Sequence, residues 1–376
     1  MTDDAPNHPG LLPAGLRDLL PPDAETEAAA VEALMEVFAS HGYQRVKPPL
    51  LEFEDTLLAG SGAAVAEQTF RLMDPDSQRM MGVRADTTPQ VARIATTRLG
   101  NAPRPLRLSY AGQVLRVRGS QLRPERQFGQ AGIELIGVDA AAADAEVIAL
   151  SAGALAVQGM KDVSVDLSLP ALVPQIVGTA GAALREALDR KDVAAVRAEA
   201  GTAAATLVAL IEAAGPADRA LERMAGLDMP KGAAAQRANL EDIVRLVRAL
   251  VPGLVLTVDP VENRGFEYHT GIAFTVFAKH VSGELGRGGR YYADGEPATG
   301  ATLFMDTVLD AMPPPAPAKR IYLPLGTAPA AAQKLREGEQ KWITVAGLAP
   351  VADVKAEARR LGCGHALVAG TVVPVE

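Results

Sequence analysis

A single cysteine, Cys363, stands in a chain of 376 residues. No internal disulfide can form, so a reducing cytoplasm is the simplest home for the protein. Histidine is scarce as well: His8, His41, His269, His280 and His365 are scattered, none at metal-ligand spacing beside a second cysteine. No structural metal is expected. Positive charge is in deficit, with 37 Lys and Arg against 45 Asp and Glu and a net charge of −8. That argues against a surface dedicated to a nucleic-acid backbone. The stretch from Met1 to Gly10 has neither the basic cluster nor the apolar core of a signal peptide. Long uncharged apolar runs are missing too. The alanine-rich stretch 140–157 carries Asp144 and Glu146 and reads as a buried helix, not a membrane span. No P-loop and no GxGxxG opens a helix after a strand, and no cofactor is expected.

The patterning that remains divides the chain. Residues 1–14 form a polar tail. A helix follows with Asp23 as its cap, and Val31, Leu34, Met35 and Phe38 recur at helical spacing until Gly42. Residues 43–46 read as a strand, stopped by Pro48-Pro49. Thr87 is placed to cap a second helix over 87–99, with Pro89 tolerated in its first turn. Residues 106–118 and 127–137 alternate and predict a long antiparallel hairpin. A helix over 140–158 and a strand over 163–167 precede a helical insertion, 170–252. Strands resume at 254–258, 266–278 and 286–291, and 300–311 is expected as the last helix of a domain spanning 15–311. The proline-rich stretch 312–318 reads as a stiff linker. Beyond it, 319–376 alternates strand and helix as a small βαβαβ unit with a parallel sheet. Antiparallel strands interleaved with helices make the large domain α+β.

Three stretches carry candidate chemistry. Arg264-Gly265-Phe266-Glu267-Tyr268-His269-Thr270-Gly271 sets a guanidinium beside ring side chains, a good reader of a small planar carboxylate ligand. Arg84-Ala85-Asp86-Thr87-Thr88-Pro89 places an acid and two threonines where a strand enters a helix, the ordinary composition of a cap. In the second hairpin strand, Gln130 and Glu134 are four apart and share one face. Glu134 sits among Ile133, Leu135 and Ile136, where a carboxylate wants a partner.

Taken in order, these stretches resemble histidyl-tRNA synthetases, members of the class II aminoacyl-tRNA synthetases, over most of residues 15–311. Residues 264–271 are similar to the segment that grips histidine in that family, and 108–137 to its motif 2. Pro48-Pro49 resembles part of the dimer-forming motif 1, and Gly288-Gly289-Arg290-Tyr291 the stretch before the last helix. The resemblance implies a class II-like antiparallel sheet flanked by helices, with a small C-terminal α/β domain. It also implies a histidine pocket. Asp86 and Thr88 would hold the α-ammonium, a carboxylate and a hydroxyl being the acceptors that group needs. Arg116 and Arg264 would meet the carboxylate, Gln130 the amino-acid backbone groups, Glu134 the imidazole N–H, and Tyr268 or His269 the ring.

Two residues depart from the synthetase pattern. Arg118 stands where motif 2 has a glutamate that helps read adenine, and Thr307 where motif 3 has an arginine that clamps the γ-phosphate. Nucleotidyl transfer depends on such charge stabilisation. The C-terminal unit is also short for an anticodon-binding domain. This profile resembles a paralogous family without catalytic residues, the regulatory subunits of short-form ATP phosphoribosyltransferase, which opens histidine biosynthesis. That resemblance implies L-histidine as ligand and a homodimer within a hetero-oligomer with short catalytic subunits, with no membrane and no tRNA as partner. The alternatives are a histidyl-tRNA synthetase with drifted ATP motifs, or a histidine-binding protein with another partner.

Overall fold

The computed structural model describes residues 10–120, 123–262, 268–314 and 316–375. The chain forms two compact units, Met1–Pro313 and Pro314–Glu376. Twelve strands lie in the first: β1 (Gln44–Arg45), β2 (Leu51–Phe53), β3 (Arg71–Met73), β4 (Met80–Val83), β5 (Leu106–Leu115), β6 (Gln127–Ile136), β7 (Val163–Ser168), β8 (Gly215–Pro216), β9 (Val255–Asp259), β10 (Ala273–Ala278), β11 (Gly286–Ala293) and β12 (Glu296–Phe304). Nine of them build one sheet in the order β1-β5-β6-β12-β11-β10-β7-β9-β8, antiparallel except at β1–β5 and β7–β9. A three-stranded antiparallel sheet, β2-β4-β3, lies apart from it. The fold is α+β.

Period-two alternation decides what each face of the sheet carries. On β6, Ala131, Ile133 and Leu135 join the core built with the helices Asp23–Ser40 and Ala141–Val157. The second helix is buried almost all round, as its near-continuous apolar sequence demands. Helix Lys231–Leu250, from the helical stretch after β7, packs on its outer side. The even residues of β6 point the other way, toward helix Thr88–Arg93. There Val91, Leu108, Tyr110, Ile136 and Tyr291 form a second, smaller core. The candidate site lies on this face.

Several elements differ from the sequence reading. The expected helix over 300–311 is strand as far as Phe304, and only Met305–Ala311 is helical. Gly300 and Thr302 turn to one face while Ala301 and Leu303 join the apolar core, which is a strand's period. Of the strand expected over 266–278, residues 266 and 267 lie outside the described residues, 268–272 are not strand, and Ala273–Ala278 is. Arg290 pins the segment before it, its N–H donating to Ile272 O (2.8 Å) and its carbonyl accepting from Thr270 N (2.9 Å). Asp23 is not a cap; Pro22 holds that position and Asp23 lies in the first turn, where its charge favours the helix dipole. Thr87 makes no capping bond either.

The second unit carries β13 (Arg320–Leu323), β14 (Ile343–Ala346), β15 (His365–Val368) and β16 (Thr371–Pro374) in the order β14-β13-β15-β16. The first three are parallel, but β16 returns antiparallel beside β15. The sequence reading missed that strand. A two-residue turn with both φ angles positive, Ala369 and Gly370, makes the tight hairpin possible. No helix among the described residues is long and apolar enough to cross a membrane.

Candidate functional site

Three strand registers shape the site. Leu108, Glu134 and Gly300 stand in one row across β5, β6 and β12; Tyr110, Gly132 and Thr302 stand in the next. Each bulky polar side chain therefore lies over a neighbouring glycine. A Cβ on Gly300 would fall inside the envelope of Glu134 Oε2, and one on Gly132 inside that of the Tyr110 ring. This small-beside-large arrangement leaves room for a cavity of about 300 Å³ above the sheet. Glu134, Thr302 and Gly300 form its floor, and Asp86, Thr88, Arg116, Tyr268, His269, Arg287 and Tyr291 line it.

Glu134 is fully buried. Tyr291 Oη donates to its Oε2 (2.8 Å) and Thr88 Oγ1 to its Oε1 (3.0 Å). Tyr110 Oη extends the hydroxyl chain, 3.1 Å from Thr88 Oγ1 and 2.6 Å from Thr302 Oγ1. Burial pushes the Glu134 carboxyl up to about 8; the two hydroxyls pull it down and the charge of Asp86 pushes it further up. Burial therefore favours the protonated form of this carboxyl.

Asp86 is fixed at the start of helix Thr88–Arg93, its Oδ1 accepting from Thr88 N (2.9 Å). Gln130, although on the face expected for it, does not line the cavity. Its Oε1 accepts from Thr87 N (3.1 Å) and its Nε2 donates to Asp86 Oδ2 (3.3 Å). Its amide thus braces the Asp86 loop from beneath the site. Arg116 lines the cavity and rests over the Phe128 ring at 5.0 Å, with Nε donating to Ala85 O (3.3 Å). Tyr268 and His269 both line it, their rings 4.1 Å apart, and Tyr268 meets Tyr291 edge-on at 6.2 Å. Arg264 lies outside the described residues.

Sequence reasoning missed Tyr110, Arg287, Gly300 and Thr302, and it left Tyr291 without a role. Tyr291 is buried while its neighbour Tyr292 is exposed, the alternation of strand β11. Gly300 and Thr302 were lost to the helix assignment.

A larger cavity of about 1060 Å³ adjoins the first and shares Gln68, Arg116 and Arg287 with it. Four arginines (116, 118, 123 and 287) and five acids (Glu67, Glu125, Asp166, Glu262 and Glu284) line it. Near Thr307 the hairpin connection supplies its own cation. Arg123 Nη2 donates to Thr307 Oγ1 (3.1 Å), Nε meets Asp306 Oδ2 at 2.8 Å, and the guanidinium lies 3.9 Å over the Phe304 ring. Among the described residues, no cluster of three or more His, Cys, Asp or Glu could hold a metal ion.

Comparison with known proteins agrees with this architecture. The histidyl-tRNA synthetase family profile matches residues 15–308. An ATP phosphoribosyltransferase regulatory subunit from Paramagnetospirillum magneticum is 61% identical, covering 100% of both chains. One from Rhodospirillum centenum is 57% identical over 100% of this chain and 99% of its own. Among solved structures, an ATP phosphoribosyltransferase regulatory subunit/histidyl-tRNA synthetase from Bacillus halodurans superposes with a TM-score of 0.80 at 25% identity, covering 94% of this chain and 97% of that one. A histidyl-tRNA synthetase from Nostoc shares the fold, with a TM-score of 0.77 at 17% identity over 96% of this chain and 91% of its own.

Proposed function

The chain belongs to the ATP phosphoribosyltransferase regulatory subunits, within the histidyl-tRNA synthetase-like family, and from that premise we propose that it is a non-catalytic histidine sensor that activates short catalytic subunits. The observation that carries this reading is the buried Glu134 at the floor of a small cavity whose other walls hold Asp86 and Arg116. A free amino acid presents an ammonium, a carboxylate and a side chain. Asp86 suits the first, Arg116 the second, and Glu134 suits an imidazole N–H. Thr88 serves here by holding Glu134, with Tyr268 and His269 as ring walls. The cavity is at the lower end of the range for small-molecule sites, in keeping with a single amino acid.

The adjoining cavity supports the absence of nucleotide chemistry. Its arginines are matched by acids, and Arg123 is already held by Asp306, so a triphosphate meets repulsion as well as attraction. A sensor without chemistry needs a partner to act on. The proposed assembly is a homodimer, joined around 46–51, within a hetero-oligomer with the catalytic subunits. Histidine can regulate that assembly only by binding its active and inactive states unequally, typically by about 1–3 kcal/mol, or roughly 5- to 150-fold.

Reconstitution with the short catalytic subunit tests this. The expected result is co-sedimentation, a rate raised by this chain, and a drop of that rate when histidine is added. The isolated chain is expected to bind L-histidine and to form no histidyl-adenylate with ATP. Adenylate formation would make it a synthetase. A catalytic rate indifferent to this chain, with and without histidine, would leave only a histidine-binding protein with another partner.

A further inference from the structure

On the reading that this cavity holds histidine, we propose that the ligand enters without exchanging a proton with solvent. The proton that Glu134 carries in the empty site becomes the shared proton of its contact with the imidazole ring. The geometry sets this up. Glu134 is wholly buried, and both hydrogen bonds its carboxyl makes come from hydroxyls, Tyr291 on β11 and Thr88 at the head of its helix. No cation among the described residues bonds it. Tyr110 of β5 faces it beyond Thr88, and Thr302 of β12 beyond Tyr110. Among the described residues, the other titratable or charged groups around the cavity are Asp86, Tyr268, His269, Arg116 and Arg287.

A carboxyl removed from water with no cation in contact prefers its neutral form, and burial places Glu134 at about 8. Hydroxyls can donate or accept, so the Thr88–Tyr110–Thr302 chain can turn to take the acid's O–H before the ligand arrives. When the ring docks, the empty site plus neutral-ring histidine and the complex each hold one proton between carboxyl and ring. That count is the same whether the proton stays on Oε or crosses to the ring nitrogen, leaving a carboxylate against an imidazolium.

The pH dependence then has two limbs. Below about 6.5, the ordinary imidazole value, the free ligand carries an additional proton that must leave on binding. Affinity falls by about tenfold per pH unit there. Above about 8 the empty site has lost the proton that the complex needs, and affinity falls with the same slope. Between the limbs the site reads histidine independently of pH. An ordinary, ionised glutamate predicts otherwise. Paired with an imidazolium, it would take up a proton already near neutrality; paired with a neutral ring, it would show no alkaline limb.

Titration calorimetry of the full chain with L-histidine distinguishes these cases, run at about pH 5.5, 7.3 and 8.8 in two buffers of different ionisation enthalpy. The expected proton counts are about one released, none, and about one taken up. Glu134→Gln is expected to keep the acid limb and lose the alkaline uptake, except for the part that comes from the ligand's own α-ammonium. Tyr291→Phe removes a bond that favours the ionised carboxyl and is expected to move the alkaline limb to higher pH. Proton uptake already near pH 7.3, or an alkaline limb unchanged in Glu134→Gln, overturns the inference alone. Absence of binding at every pH overturns the histidine-site reading on which it rests.

Discussion

Gly300→Ala is expected to weaken histidine binding by at least about 100-fold while the protein still folds, a loss of about 2.7 kcal/mol. Gly300 lies directly across from Glu134 in the β6–β12 register, and the new methyl would occupy the space of Oε2. The carboxyl cannot retreat. Thr88 and Tyr291 hold it from two sides, and the strand backbone lies beneath it. Overpacking of this kind costs typically 1–3 kcal/mol of stability, which a large domain survives. Calorimetry gives the affinity, and thermal denaturation shows whether the fold is kept. Parent-like affinity would mean that Glu134 is not the floor of the binding site.

Arg290→Ala is expected to produce the largest loss of stability, about 3–5 kcal/mol, with a fall in melting temperature on the order of 10 °C. The guanidinium bonds Asp144 Oδ2 at 2.6 Å and Ala140 O at 2.8 Å, and it also pairs with Asp139. Asp144 is completely buried inside helix Ala141–Val157. Burial already pushes the Asp144 carboxyl up to about 7, so without its cation it must take up a proton or hold an unpaired charge, and either costs. The double variant Arg290→Ala with Asp144→Ala is accordingly expected to recover part of the loss. Arg290 also packs against Gly271, beside the turn that carries Tyr268 and His269, so histidine affinity should fall together with stability. Equal melting temperatures for parent and single variant would show that the ion pair contributes nothing net.

The sequence by itself determined the local periods. The alternation of residues 127–137 fixes that Gln130 and Glu134 share a face and that Ile133 and Leu135 take the other. The helical stripe of Leu34, Met35 and Phe38 fixes the buried side of the first helix. The ordered stretches from Pro48 to Gly271 were enough to place the chain in its family, because each motif is a run of adjacent residues. Only the tertiary structure decided who meets whom across strands. A strand's period says which way a side chain points but not which residue stands opposite it. That Glu134 lies over Gly300, that Tyr110 reaches Thr302 across Gly132, and that Tyr291 donates to Glu134 follow from the register of β5, β6, β12 and β11, which is set by packing of segments far apart in the chain. The same holds for Gln130, whose amide is spent on Asp86 and Thr87 instead of facing the cavity, and for Arg123, whose place beside Thr307 depends on how a hairpin connection folds back over two aromatic rings.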